Sequence, residues 1–405
     1  MVSKENRMSD ILGLISKLDI SPTMYKDAVE KYKNLGTYLQ EKGIQADFYP
    51  QGSFSLGTVV RPYKDNKDAN FDLDAICQIL NEKGATTPQD IKEMVESAFE
   101  ENEAYKKKLT KCDKCCTINY TETNEIGFSI DIVSAIEEDE STKQRLKEKS
   151  ILPEYIDTAI AISSKKDEEY EWATNNPKGF KEWFDKINKP FLENNPLQSR
   201  SAIFESYREV FASIEEIPIE LERSALQRVI QILKRHRDVY FSKKQNGNTL
   251  KPISAIITTV VASIASTALA SLNVFDLLKY VLSEFNIYSK QQILNETEFS
   301  NFYKNKNIVQ RKEGNWVIEN PVNPEDNLAD SWNEDPLMAK AFFDWTKCVY
   351  TDFLESYEKR DEEYIALLES ALGSDFVRRS IDVKKYSSSV AKPIIQSSQS
   401  KPWRV

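Results

Sequence analysis

Histidine is almost absent from this chain of 405 residues, where His236 is the only one. Zinc sites built on several histidines are thereby excluded, and a histidine general base has a single candidate, far along a helix-like segment. Cysteine is sparse and odd in number, with Cys77, Cys112, Cys115, Cys116 and Cys348. Such a set gives no disulfide framework, and with no leader-like pattern in MVSKENRMSD the expectation is a reducing cytoplasm. An excess of positive charge is also missing. The formal net charge is −10, so stable nucleic-acid binding is not expected. No internal repeat is present. Long apolar runs reduce to one, ISAIITTVVASIASTALASL from Ile253 to Leu272, and it is rich in Ser and Thr. Its small residues read as a closely packed core helix, and no membrane partner is expected.

What remains is an ordinary globular composition, 40% apolar and 29% charged, long enough for two or three domains. Residues 11–42 carry helical spacing broken by a Ser21-Pro22 start signal, with Gly43 as the stop. ADFYPQ and NFDLDAICQIL read as strands on either side of QGSFSLGTVVRP. PQDIKEMVESAFEENEAYKKKL reads as helix, and KCCTINYTE with IGFSIDIVSAIE as a hairpin. From Lys143 to about Ser213 the pattern reads as loops with short helices, and from Glu216 almost everything reads as helix. The last stretch, KKYSSSVAKPIIQSSQSKPWRV, has the composition of a flexible tail. The expected division is 1–215, 216–385 and a tail 386–405.

Asp72 and Asp74 stand at i and i+2 of one strand, so both leave the same face of the sheet. Asp131, in FSIDIVSA, is flanked in the same way. Like charges placed together among apolar residues are costly unless a cation sits between them. Hard carboxylate oxygens suit Mg²⁺, and two such ions about 4 Å apart are a common clamp for phosphoryl and nucleotidyl transfer. An Asp-x-Asp pair alone is weak; the Gly-Ser loop before it strengthens the case, because Gly52 lets backbone approach a phosphate and the Ser53 hydroxyl can donate to it.

Together, GSFSLGT, FDLDAI and GFSIDIVSA resemble the nucleotidyltransferase core of the DNA polymerase β superfamily. LKRHRD with KPISAIITT, and ENPVNPEDNLADSW, narrow the resemblance to the bacterial cGAS/DncV-like nucleotidyltransferases, the CD-NTases of CBASS anti-phage systems. It runs from about Tyr25 to Trp345. What it implies is an α+β fold: a polymerase β-like nucleotidyltransferase core, then an all-helical domain like that of oligoadenylate synthase, with the catalytic cleft between them. The implied activity is condensation of NTPs, ATP among them, into an adenine-containing cyclic di- or trinucleotide, with pyrophosphate released. Asp72, Asp74 and Asp131 would be the catalytic and metal-binding residues for two Mg²⁺ ions, with Mn²⁺ as a substitute. Gln51, Gly52 and Ser53 would cradle the donor triphosphate. Lys234 and Ser254 would reach it from the helical half, and Asp326 would contact a base or ribose. Implied partners are an activating or regulatory protein and a downstream effector that binds the cyclic product.

Some signals compete with this reading. The same aspartates would serve an enzyme that extends RNA 3′ ends or AMPylates a protein. Lys234, Arg235, Arg237, Lys243 and Lys244 are a basic cluster, most of it expected on the solvated face of a helix. Cys112, Cys115 and Cys116 lack a fourth zinc ligand; a core role is expected, with an exposed redox thiol as the alternative. Trp172, Trp183, Trp316 and Trp332 are expected to pack, although stacking on bases is open to them.

Overall fold

The computed structural model describes residues 2–64, 67–120, 127–194, 223–291, 297–298, 301 and 308–386. The first helices begin where side chains can cap them: Ser3 accepts from the Asn6 N–H before α1 (Lys4–Ser16), and Ser21 from the Met24 N–H before α2 (Pro22–Glu41), with Pro22 in the first turn. A mixed seven-stranded sheet follows. β1 (Ala46–Gln51), β4 (Phe71–Ile79), β7 (Phe128–Glu137), β6 (Cys116–Tyr120) and β5 (Leu109–Lys111) lie in that spatial order. β8 (Ile160–Lys166) joins the far end of β7 and carries β9 (Glu169–Asn175). Among the described residues, only β4 and β7 run parallel, and a small β2–β3 hairpin (Tyr63–Lys64, Lys67–Asp68) stands off the sheet.

One sheet face packs on α2 and on α4 (Pro88–Glu100), which opens with a Thr87–Asp90 capping box. Leu35, Leu39, Leu73, Ile91, Val95, Phe99 and Ile130 meet there. Among the described residues of this half, the remaining α-helices are the short α3 (Gly52–Ser55) and α5 (Glu103–Lys106), then α6 (Glu140–Lys149) and α7 (Pro177–Asn194). The stretch expected as loops therefore contains a β-hairpin and an 18-residue helix. The hairpin was hidden because its turn uses Asp167 and Glu168 at positive φ, without the Asn or Gly that signals such a turn.

The second core is helical: α8 (Ala225–Ser242), α9 (Gly247–Leu250), α10 (Ser254–Ala265), α11 (Val274–Gln291), α12 (Asp330–Glu334), α13 (Pro336–Phe353), α14 (Asp361–Leu372) and α15 (Ser374–Ser380). Two short hairpins, β10–β11 (Gln310–Lys312, Asn315–Val317) and β12–β13 (Glu319–Asn320, Asn323–Asn327), interrupt it. Ile11, Leu14 and Ile15 of α1 and Phe184 of α7 pack into this helical core, so the chain's first helix serves its last elements. Of the Ser/Thr-rich run only Ser254–Ala265 is helix, α10, with Ile257, Val260 and Val261 fully enclosed; the remainder to Leu272 is turn, with Leu269 exposed. The expected 215/216 division and most of the tail lie outside the described residues.

α8 is the central element of the second core and overturns one expectation. Lys234, Arg235 and Arg237 are buried; only Lys243 and Lys244 of that cluster are solvated. Each arginine has fixed acceptors. Arg235 reaches Asp68 at 2.8 Å and the Leu372 carbonyl at 3.0 Å, while Arg237 holds Asp238 and the Pro252 carbonyl. Asp19, between α1 and α2, accepts from Arg228 at 2.6 Å and from the Gln231 amide at 2.7 Å, with Arg223 at 3.5 Å. Asp19→Ala leaves these buried cations uncompensated and is expected to cost about 3–5 kcal/mol; urea unfolding of the metal-free protein checks this through a lowered midpoint.

Candidate functional site

The sheet register builds the site. Gln51 on β1 lies opposite Asp74 on β4, Asp74 opposite Asp131 on β7, and Asp131 opposite Thr117 on β6. Residues paired directly across strands share a face, so these four form one row across the sheet. Asp72 is two residues back along β4 and pairs with Ser129. The three predicted carboxylates therefore emerge together on the face opposite the α2–α4 packing.

Two hydroxyls missed by the sequence reading fix their orientation. Thr117 Oγ1 donates to Asp131 Oδ1 at 2.7 Å, and Ser129 Oγ donates to Asp72 Oδ1 at 2.6 Å. Among the described residues, the second oxygen of each carboxylate takes no hydrogen bond. The signal was present in the strand period: Ser129 precedes Asp131 by two, as Asp72 precedes Asp74. Burial, reinforced by Asp131 and Asp72, pushes the Asp74 carboxyl up to about 6, with Lys234 opposing the rise. Burial also raises Asp131, against the lowering effect of its Thr117 hydrogen bond.

Gly52 begins the one-turn α3 directly after β1, at a φ of +61°. A Cβ there would stand 2.6 Å from Asp74 Oδ2. Glycine is thus required by the carboxylate itself as well as by the backbone conformation. Beyond it, Lys234 comes from α8 and donates to Thr58 Oγ1 at 3.0 Å. Burial and Arg237 lower the Lys234 ammonium to about 7, while Asp238 and Asp74 oppose that fall. An arriving anion would restore its charge.

A cleft of about 500 Å³ gathers the predicted binding residues: Gln51, Gly52, Ser53, Lys234, Ser254 and Asp326 all line it. Arg237 holds the Ser254 hydroxyl at 3.0 Å, and Asn320 donates to Asp326 Oδ2 at 2.8 Å. None of the four tryptophans weighed in the sequence lines this cleft; Trp183 and Trp332 are buried in the helical core. A second cavity of about 670 Å³ reaches Asp72 and is lined by Lys64, Lys67, Lys244 and Lys251. The carboxylate row has one cavity at its Asp72 end and the other at Gly52, beside Asp74.

His236 is remote from this chemistry. Its Nδ1 accepts from Trp345 Nε1 at 3.0 Å, which leaves Nε2 protonated toward Asp352 Oδ2 at 2.9 Å. Cys348 donates to the same Asp352 oxygen. These three side chains lie close enough to suggest a metal site. With both ring nitrogens committed, the cluster is a buried clasp between α8 and α13.

The carboxylate row and the loop cradle fall within a stretch that resembles a nucleotidyltransferase domain. Residues 46–134, which hold Gly52, Asp72, Asp74 and Asp131, match the family model described as cyclic GMP-AMP synthase DncV-like, nucleotidyltransferase domain. A curated relative, c-di-GMP synthase of Roseivirga ehrenbergii, is 26% identical over 382 residues, covering 92% of this chain and 85% of its own. The fold is shared with CdnG of Bradyrhizobium diazoefficiens, solved with GTP, at a TM-score of 0.66 and 17% identity, covering 93% of this chain and 98% of that one. CdnC of Escherichia coli, solved with ATP, superposes at 0.52 and 16% identity, covering 91% and 98%. The CD-NTase resemblance seen in the motifs and the polymerase β-like fold it implied both hold.

Because the Asp74 proton is bound more tightly when folded, its contribution favours folding below the ordinary carboxylate pKa of about 3.8 and is lost as pH rises through about 6. Asp74→Asn is therefore expected to stabilise the metal-free protein at pH 8 by about 2–3 kcal/mol, from roughly two pKa units, while abolishing activity. Denaturant melts at pH 5 and pH 8 check it; the gain shrinks at the lower pH. Gly52→Ala is expected to cut activity at least about 100-fold, read as pyrophosphate release, by driving a methyl into Asp74.

Proposed function

We propose that the chain condenses two nucleoside triphosphates into a cyclic dinucleotide, releasing pyrophosphate. The observation that carries this reading is the row of three carboxylates beside a cleft lined by all six predicted nucleotide-binding residues. Its support from relatives is the c-di-GMP synthase name of the Roseivirga protein and the DncV-like match. One cavity at Asp72 and a cleft at the Gly52 loop beside Asp74 also suit the joining of two nucleotides.

The donor set fits divalent magnesium: hard oxygens only, with Ser129 and Thr117 each engaging one oxygen of a carboxylate. Asp72, Asp74 and Asp131 would hold two Mg²⁺ ions, or Mn²⁺ in their place. Such ions offset charge on the reacting phosphate and make the attacking hydroxyl more acidic. The chain's own residues do the positioning. Gln51, Gly52 and Ser53 bracket the triphosphate, and Lys234, recharged by the anion, faces it from α8. Ser254, oriented by Arg237, supplies a further hydroxyl.

For the base we propose guanine over the adenine expected from family analogy. Asp326 lines the cleft as an acceptor, and guanine presents N–H donors on its Watson–Crick edge where adenine presents a ring acceptor. We place the enzyme in the bacterial cytoplasm, in anti-phage signalling, with an effector that reads the product and an activating or regulatory protein partner.

Incubating the purified chain with GTP, ATP and Mg²⁺, followed by phosphatase treatment and mass spectrometry, tests the proposal. The expected product is a phosphatase-resistant cyclic dinucleotide containing guanine, absent from the Asp72→Ala/Asp74→Ala protein. A product built from adenine alone overturns the base assignment. Label transferred to RNA or to protein in place of a small product overturns the synthase reading.

A further inference from the structure

Cys112 and Cys115 do not take the core role expected of them. They bound the turn of the β5–β6 hairpin, where the Cys112 N–H donates to the Cys115 carbonyl at 3.0 Å and Lys111 pairs with Cys116 below. Cys116 points into the sheet core; Cys112 is exposed and Cys115 half-buried. The turn is held from beneath by a buried lysine. Lys92 on α4 donates to the carbonyls of Cys112, Asp113 and Cys115, and the Lys165 N–H on β8 reaches the Asp113 carbonyl at 3.1 Å. The Cys-x-x-Cys is thus a built feature with a fixed direction.

That direction is toward the carboxylates. Both thiols converge on one hydroxyl, with Cys112 Sγ at 3.8 Å and Cys115 Sγ at 3.9 Å from Thr117 Oγ1. A threonine hydroxyl has one proton and two lone pairs. Its proton is given to Asp131 Oδ1, so the two thiols are left as donors to its lone pairs. The Thr117 hydroxyl is then fully satisfied, and each S–H donated to it strengthens the bond it makes to Asp131. Burial pushes the Cys115 thiol up to about 12, with Asp131 and Cys112 adding to the rise; the exposed Cys112 is the thiol that meets solvent first.

We propose that Cys112 and Cys115 are a reversible dithiol–disulfide modification site that acts on the carboxylate site through Thr117. The oxidant is a small-molecule disulfide of the oxidised glutathione class. The Cys112 thiolate attacks one of its sulfurs, its S–S bond breaks, and one small thiol leaves. Cys115 then attacks the Cys112 sulfur of the mixed disulfide, closing the protein S–S bond and releasing the second small thiol. Two electrons pass to the small disulfide, and the two cysteine protons end on the two released thiols. Closure removes both S–H donors from Thr117. Its grip on Asp131 weakens, and with it the affinity of the carboxylates for divalent cation, a consequence that rests on the metal-binding reading above.

The full chain is incubated with excess oxidised glutathione or with dithiothreitol. Peptide mass spectrometry maps the disulfide, Mn²⁺ affinity is measured by electron paramagnetic resonance, and pyrophosphate release is followed with GTP and Mg²⁺. The expected result is a 112–115 disulfide, Mn²⁺ binding weakened at least about 5-fold, and pyrophosphate release reduced to match, all restored by dithiothreitol. In Cys112→Ser the ratio of oxidised to reduced values is expected to stay near one. A stable glutathione adduct on Cys112 without closure overturns the proposal. So does closure with unchanged Mn²⁺ affinity, or an equal loss in Cys112→Ser. If neither form releases pyrophosphate, the synthase reading fails by itself and the Mn²⁺ comparison still decides the dithiol.

Discussion

Repulsion among Asp72, Asp74 and Asp131 is the constraint around which the rest of this molecule is arranged. The parallel register of β4 and β7 puts Asp74 directly opposite Asp131, with Asp72 one pleat away on the same face. Like charges at that spacing, partly withdrawn from water, disfavour their own ionisation. Burial first, and like charge added to it, raise the Asp74 and Asp131 carboxyls. A fold selected for stability alone would not keep such a row. Its persistence makes sense when cations and an anionic substrate complete the charge balance, the familiar exchange of stability for function at a site.

A buried cation that acts on this row, Lys234, comes from the second core. α8 is buried over nearly its whole circumference and carries Lys234, Arg235 and Arg237 inward. The arginines are satisfied by carboxylates and carbonyls and join the helix to the β2–β3 hairpin, to α14 and to the start of α10. Lys234 has a neutral hydroxyl as its hydrogen-bond partner, and its ammonium is lowered toward neutrality. Asp74 and Lys234 are therefore each held away from their ordinary charge state, in opposite senses. A metal–triphosphate complex placed between them would relieve both.

Much of this was legible in sequence because it depends on short-range periodicity. The i, i+2 spacing of Asp72 and Asp74 on an apolar strand shows that they share a face, and the Gly-Ser loop before them shows where backbone approaches. The partners of α8 were not legible. Arg235 and Arg237 are charged residues on an amphipathic pattern, which ordinarily face water; their acceptors at Asp68, Leu372 and Pro252 are defined only by tertiary packing. The same holds for His236, whose tautomer is set by Trp345, more than a hundred residues away. Cys112 and Cys115 were misread for a related reason. Alternation along β6 sends Cys116 inward, but the hairpin turn that turns the other two outward depends on Lys92.

We propose that the carboxylate row and the Gly52 loop hold metal and triphosphate together. A crystal structure with Mn²⁺ and a non-hydrolysable GTP analogue, with anomalous scattering used to locate the ions, tests it most directly. The account predicts two manganese peaks bounded by Asp72, Asp74 and Asp131, with the triphosphate lying along Gln51, Gly52 and Ser53 and facing Lys234. Manganese bound elsewhere with the row left bare, or a triphosphate seated away from that loop, would contradict it.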